Sequence, residues 1–183
     1  MPIEIEKKFR LSKKQREEVL QRLPEIGAQR KGEEFEVNTL YTGESLELSN
    51  SVLRLRRAGK RGILTFKQRF PSESDIKHQR EEETRVEDPG AMEAILEAIG
   101  FEPALVYEKR RETWTLGKTE IVIDELPFGL FMEIEGSEQD IRDIEKKLAI
   151  KRLRTELATY PQLTQKHGVD QDGVIESRFP EVR

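Results

Sequence analysis

The first ten residues alternate apolar and charged side chains, and the same alternation returns in segment after segment. Ile3, Ile5 and Phe9 stand between Glu4, Glu6 and Lys8. A period of two marks an extended strand with two unlike faces. Taken alone, such a strand suits a sheet whose charged face meets bulk water. Two carboxylates and an ammonium on one face could equally hold a divalent cation and touch a phosphate.

Eight segments read as strands, near residues 2–10, 34–42, 51–59, 62–70, 78–87, 104–115, 119–126 and 130–136. Gly59-Lys60-Arg61-Gly62 and Leu116-Gly117-Lys118 read as hairpin turns, because glycine tolerates the backbone such turns need. Helices fall between strands. Ser12 with Gln15 forms a capping-box pattern ahead of Val19, Leu20 and Leu23. Asp88-Pro89 opens a second helix that Gly100 stops, and Ser137 caps a third with Ile141, Ile144 and Leu148 on one side. A fourth is expected from about Thr155 to Pro161. The reading gives one domain over residues 1–167 and a polar tail over 168–183, weakly ordered or docked late.

Later strands repeat the charged face of the first. Arg54 and Arg56 share a face, as do Thr65, Lys67 and Arg69, Arg80 and Glu82, and Lys109 and Arg111. Asp124 stands opposite isoleucines, and Glu133 and Glu135 repeat the Glu-x-Glu spacing with Phe131 on the same face. An open sheet on helices would explain this, and so would a sheet closed on itself around a charged lumen. The face is built from long Arg, Lys and Glu side chains in near-equal number, which favours the lumen, since enclosed charges must be paired or ligated. The expected fold is α+β: a closed eight-stranded antiparallel β-barrel, a tunnel, with helices packed outside.

Charged residues make up 37% of the 183, yet the net charge is only −4, so no basic excess calls for nucleic acid. Cysteine is absent, which removes disulfides, thiol nucleophiles and cysteine-based zinc sites. No apolar run approaches the roughly 20 residues that span a bilayer. The chain enters a strand at once, and the expectation is a cytoplasmic protein.

Together these motifs resemble the CYTH family, also called triphosphate tunnel metalloenzymes. Glu4-x-Glu6-x-Lys8, Leu53-Arg54-Leu55-Arg56, Thr65-x-Lys67, Arg80-x-Glu82, Lys109-x-Arg111, Asp124 and Glu133-x-Glu135 occur in the family's order across residues 2–160. The resemblance implies an eight-stranded tunnel and a triphosphate-containing substrate such as inorganic triphosphate, ATP or thiamine triphosphate. It implies Mg²⁺ or Mn²⁺ held by Glu4, Glu6, Asp124, Glu133 and Glu135. Lys8, Arg54, Arg56, Arg80, Lys109 and Arg111 would grip the phosphates, since a triphosphate carries about four negative charges and guanidinium forks match phosphate oxygens. Lys67 fits a catalytic lysine and Tyr41 the tyrosine paired with it, while a packing aromatic is the plain alternative for Tyr41. The family's aspartate after the aromatic pair is missing from Leu40-Tyr41-Thr42-Gly43-Glu44.

Three activities stay open. Water attack would make the chain a triphosphatase; attack by the ribose 3′-hydroxyl of ATP would make it a class IV adenylate cyclase releasing cyclic AMP and pyrophosphate. A non-catalytic polyphosphate- or nucleotide-binding barrel would need the arginines but not the carboxylates. Homodimerisation is left open.

Overall fold

One mixed sheet of eleven strands carries five helices on the computed structural model of the chain. It describes residues 3–49, 51–69, 77–149 and 153–180, with their side chains except those of 3, 4, 48, 69 and 77–79. The chain runs β1 (Ile3–Leu11), α1 (Lys13–Glu25), β2 (Gln29–Thr42), α2 (Glu44–Leu48), β3 (Ser51–Ala58), β4 (Arg61–Arg69), β5 (Lys77–Val86), α3 (Pro89–Ala98), β6 (Glu102–Leu116), β7 (Thr119–Leu126), β8 (Gly129–Glu135), α4 (Glu138–Leu148), β9 (Arg154–Thr155), α5 (Tyr160–His167), β10 (Val169–Gln171) and β11 (Val174–Ser177).

Local chemistry accounts for most boundaries. The Ser12 hydroxyl accepts from the Gln15 amide while the Gln15 side chain accepts from the Ser12 amide, satisfying two donors at the start of α1. Asp88 and Ser137 cap α3 and α4 in the expected way. Gly59 and Gly117 turn the β3–β4 and β6–β7 hairpins at φ of 60° and 61°, where a side chain would be strained. The expected fourth helix is displaced. Thr159 and Gln162 form a capping box, so α5 begins at Tyr160 with Pro161 in its first turn.

The closed eight-stranded antiparallel barrel expected from the sequence is corrected. Three short strands join the eight long ones, and β11 pairs with β6 in parallel. Hydrogen bonds also do not close the sheet along its height. One edge of β1 pairs with β5 over Ile3–Glu6 and then with β9 at Phe9 and Arg10. One edge of β6 pairs with β7 over Arg110–Leu116, and with β11 at Leu105–Tyr107. The result is a strongly curved, tunnel-like sheet with two split seams, and α5 packs against β6 and β11 beside one of them.

Two apolar clusters lie on the outer face. Phe9, Trp114, Ile121, Ile123, Met132 and Ile134 pack with Val19 and Leu23 of α1 and Ile141, Ile144 and Leu148 of α4. Tyr41, Leu53, Leu55 and Val86 pack with Leu46 of α2 and Leu96 of α3. A third cluster, Leu40, Leu105, Tyr107, Leu126, Phe131, Tyr160 and Leu163, fills one end of the inner face beneath α5. No helix among the described residues is long and apolar enough to cross a membrane.

Candidate active site

Strand alternation aims the charged side chains into the concave face. Lys8 and Glu133 are cross-strand neighbours on β1 and β8, and Arg111 and Asp124 on β6 and β7. Lys8, Arg54, Arg56, Lys67, Lys109 and Arg111 all line one cavity of about 580 Å³, together with Glu6, Glu133 and Glu135.

At the cavity's base, Asp124 and Lys109 are almost inaccessible, at 0% and 1% exposure. Arg111 donates to both Asp124 oxygens, at 2.8 and 2.6 Å, and to Glu133 at 2.8 Å. The Tyr160 hydroxyl donates to Asp124 Oδ2 at 2.8 Å, and Lys109 Nζ lies 3.5 Å from the same oxygen. Burial opposes the ionised Asp124 carboxylate, but Arg111 and Lys109 outweigh it and hold its pKa below the usual carboxylate range. For Arg111, burial would lower the pKa; Asp124, Glu36 and Glu133 drive it well above its ordinary value. Lys109 moves the other way, because burial and the adjacent Arg111 outweigh its carboxylates.

The remaining cations are also held. Lys8 Nζ donates to the Ala158 carbonyl at 3.0 Å, lies 3.6 Å from Glu133, and sits 4.1 Å above the Tyr160 ring. Arg54 donates to Thr65 Oγ1 at 3.3 Å. Arg56 meets Glu83 at 3.2 Å, and Lys67 meets Glu81 at 2.6 Å.

Other sequence-predicted residues are placed differently. Arg80 does not line the cavity; it pairs with Glu82 at 3.2 Å, and the inward positions of β5 opposite Lys67 and Thr65 are Glu81 and Glu83. Tyr41 is packed in the outer cluster with Leu53 and Leu55, while Leu40 faces inward. Burial is the first cause that raises the Tyr41 hydroxyl to about 12. Glu4 belongs to β1, but its side chain lies outside the described residues.

Four site residues escaped the sequence reading: Glu36, Tyr107, Glu120 and Tyr160. Glu36 and Asn38 alternate with Phe35 and Val37, so the strand pattern carried a usable signal for Glu36. Glu120 is the β7 neighbour of Glu135, itself the β8 neighbour of Glu6, which sets three carboxylates in one row at the mouth. Tyr160 arrives from a helix whose start was misplaced.

Could the cavity hold a hard cation? Oxygen donors in that row, all lining the cavity, suit Mg²⁺ or Mn²⁺. Among the described residues no three acidic or histidine side chains already stand at metal-ligand spacing, so the carboxylates would draw together around the ion.

Solved structures of the same shape carry comparable chains. The PH1012 protein of Pyrococcus horikoshii superposes with a TM-score of 0.76 at 24% identity, covering 87% of this chain and 98% of that one. An adenylate cyclase candidate from Vibrio parahaemolyticus gives 0.67 at 21% identity, over 86% and 95%. HpAC1 from Hippeastrum, an adenylyl cyclase candidate reported to have a dominant triphosphatase activity, gives 0.66 at 16% identity, over 87% and 93%. At these identities the likeness speaks for the fold. No curated protein matches the sequence. The family model described as the CYTH domain matches residues 2–165, nearly the whole chain, and the protein belongs to the CYTH family.

Proposed function

We propose that this chain is a divalent-metal-dependent phosphohydrolase acting on a triphosphate group. The observation that carries the reading is the convergence of Lys8, Arg54, Arg56, Lys67, Lys109 and Arg111 on one cavity with a carboxylate row at its mouth. Six cations enclosed together match a polyanion in charge, and the arginine forks match its oxygens.

In this reading the Asp124 carboxylate orients Arg111, and Tyr160 orients Asp124 in turn. Arg54, Arg56, Lys109 and Arg111 bind the phosphate chain, and Lys8 holds its near end against the Tyr160 ring. Glu6, Glu133 and Glu135, with Glu120 in the same row as Glu6 and Glu135, would hold the cation. A bound Mg²⁺ or Mn²⁺ supplies charge neutralisation on the phosphoryl oxygens and activation of water. Lys67, fixed by Glu81, stands beside the phosphate chain as the group that orients the attacked phosphoryl. Tyr41 has no part, because its ring packs on the far face of the sheet.

Hydrolysis of a simple triphosphate is favoured over cyclisation of ATP by the shape of the interior. Packed Leu40, Leu105, Phe131 and Leu163 fill the end beneath α5. An organic group would therefore extend toward the mouth, among Glu6, Glu120 and Glu135, which offer a nucleobase no stacking surface.

The test uses Glu6→Gln and Glu135→Gln with inorganic triphosphate. Each should raise the Mg²⁺ or Mn²⁺ concentration for half-maximal turnover at least about tenfold, with thermal unfolding unchanged. Unaltered metal dependence in both variants would remove the carboxylate row from the mechanism.

A further inference from the structure

Glu36 lies behind the cavity wall rather than on it. Its side chain is 2% exposed, with one oxygen 3.6 Å from Arg56 Nη1 and the other 3.4 Å from Lys109 Nζ. The Asn38 amide donates to the second oxygen at 3.3 Å. Both cations line the cavity and Glu36 does not, so a ligand would touch them and never it. Burial opposes ionisation of this carboxyl, but Lys109, Arg111 and Arg56 outweigh it and bring its pKa to about 2. At neutral pH it is a fixed anion built into a cationic wall. Arg54, two residues along the same strand from Arg56, differs in its contact: it donates to the neutral hydroxyl of Thr65, and Glu36 acts on it only through its field.

We infer that Glu36 is an internal counter-anion that competes with a bound polyanion for Arg56 and Lys109, and thereby sets how tightly the cavity holds triphosphate and how fast it releases the shorter phosphates. This rests on the triphosphate reading above. A carboxylate that already occupies two of the gripping cations lowers their attraction for phosphate oxygens. At the effective dielectric of such a site, one unit charge several ångströms from a phosphate shifts an equilibrium constant by about tenfold or more. Too tight a grip would slow turnover, since the products keep part of the substrate's charge. Glu36 is thus a positioning residue with a predicted sign: removing its charge strengthens binding.

Calorimetric titration of inorganic triphosphate, with and without Mg²⁺, separates the outcomes. Glu36→Gln should bind about tenfold more tightly than the native chain. Its KM and kcat should fall together, and pyrophosphate should inhibit it more strongly. Glu36→Asp, which keeps the charge but draws it back from the cations, should fall between the two; if Glu36→Gln does not fold, this variant alone decides. A residue that merely shapes the wall would give the reverse, weaker binding on substitution. Equal or weaker binding by the variants, with the native chain binding normally, overturns the inference alone. A native chain that binds no triphosphate in either condition overturns the triphosphate reading and the inference with it.

Discussion

Lys109 and Asp124 are as deeply buried as Phe131 and Leu163, and Asp124 stands directly opposite Phe131 across β7 and β8, yet the charged cluster and the packed cluster are held by different physics. Beneath α5, side chains are fixed mainly by shape: Phe131 meets Tyr160 edge-on at 5.4 Å and Phe128 at 6.0 Å, and the Tyr160 hydroxyl reaches across to the charged cluster, donating to Asp124. In the charged cluster, cations rest on carboxylates. Arg56 rests on Glu36 and Glu83, Lys67 on Glu81, and Arg111 on Asp124 and Glu133. Buried ion pairs recover their desolvation cost poorly, so such a cluster is weak evidence of stability and better evidence of use. On the triphosphate reading, a phosphate chain would take the place of carboxylates on these cations. Packing anchors the one cluster; pairing keeps the other adaptable.

Asp124→Ala should have the largest effect on this contrast. It leaves the Arg111 guanidinium buried without its main partner, and should cost about 3–5 kcal/mol in denaturant unfolding while abolishing triphosphate binding. Leu163→Ala, in the packed cluster, should cost about 2–5 kcal/mol yet leave the dissociation constant for triphosphate nearly unchanged. Loss of binding in the leucine variant at temperatures where it is still folded would mean that the two clusters act as one unit.

Acid should separate them as well. The pKa values of Glu36 and Asp124 are both lowered on folding, so each contributes stability that is fully present above the ordinary carboxylate range. That contribution is lost as protons bind; for Glu36 the window runs from 4.5 down to about 2. The urea midpoint of the native chain should drop steeply across that window, and Glu36→Gln should flatten the drop. Equal slopes would show that Glu36 does not carry the charge assigned to it. The smallest effect belongs to Arg80→Ala. Because Arg80 does not line the cavity and, in the contacts described, pairs with Glu82 as an exposed ion pair, stability should change by no more than about 0.5 kcal/mol and kcat/KM should hold.

Arg80 also marks where the sequence stops being readable. The eight long strands and the Ser12, Asp88 and Ser137 caps follow from local patterns, and Arg54, Arg56, Lys109, Arg111 and Glu133 face inward as alternation requires. In Arg80-Glu81-Glu82-Glu83-Thr84 both faces are polar, so no apolar residue marks the phase, and a one-residue slip exchanges the two faces. Leu40-Tyr41 poses the opposite problem: both residues can be buried, and only the pairing of β2 with β3 and β6 decides which points inward. Closure was the third failure. The partners taken by β1 and β6 change part-way along each strand, and β9 and β11 are too short to announce themselves by periodicity. Pro161 reads as a terminator until Thr159 and Gln162 are seen as a capping box, and with α5 displaced, the role of Tyr160 could not be seen either.

Product analysis tests the central claim most directly. The purified chain would be incubated with inorganic triphosphate and, separately, with ATP, each with Mg²⁺ or Mn²⁺, and the products resolved by chromatography. The account predicts orthophosphate from inorganic triphosphate and no cyclic AMP from ATP. Cyclic AMP with pyrophosphate would contradict it in favour of cyclisation, and binding without any product would leave the cavity a polyphosphate receptor rather than an enzyme.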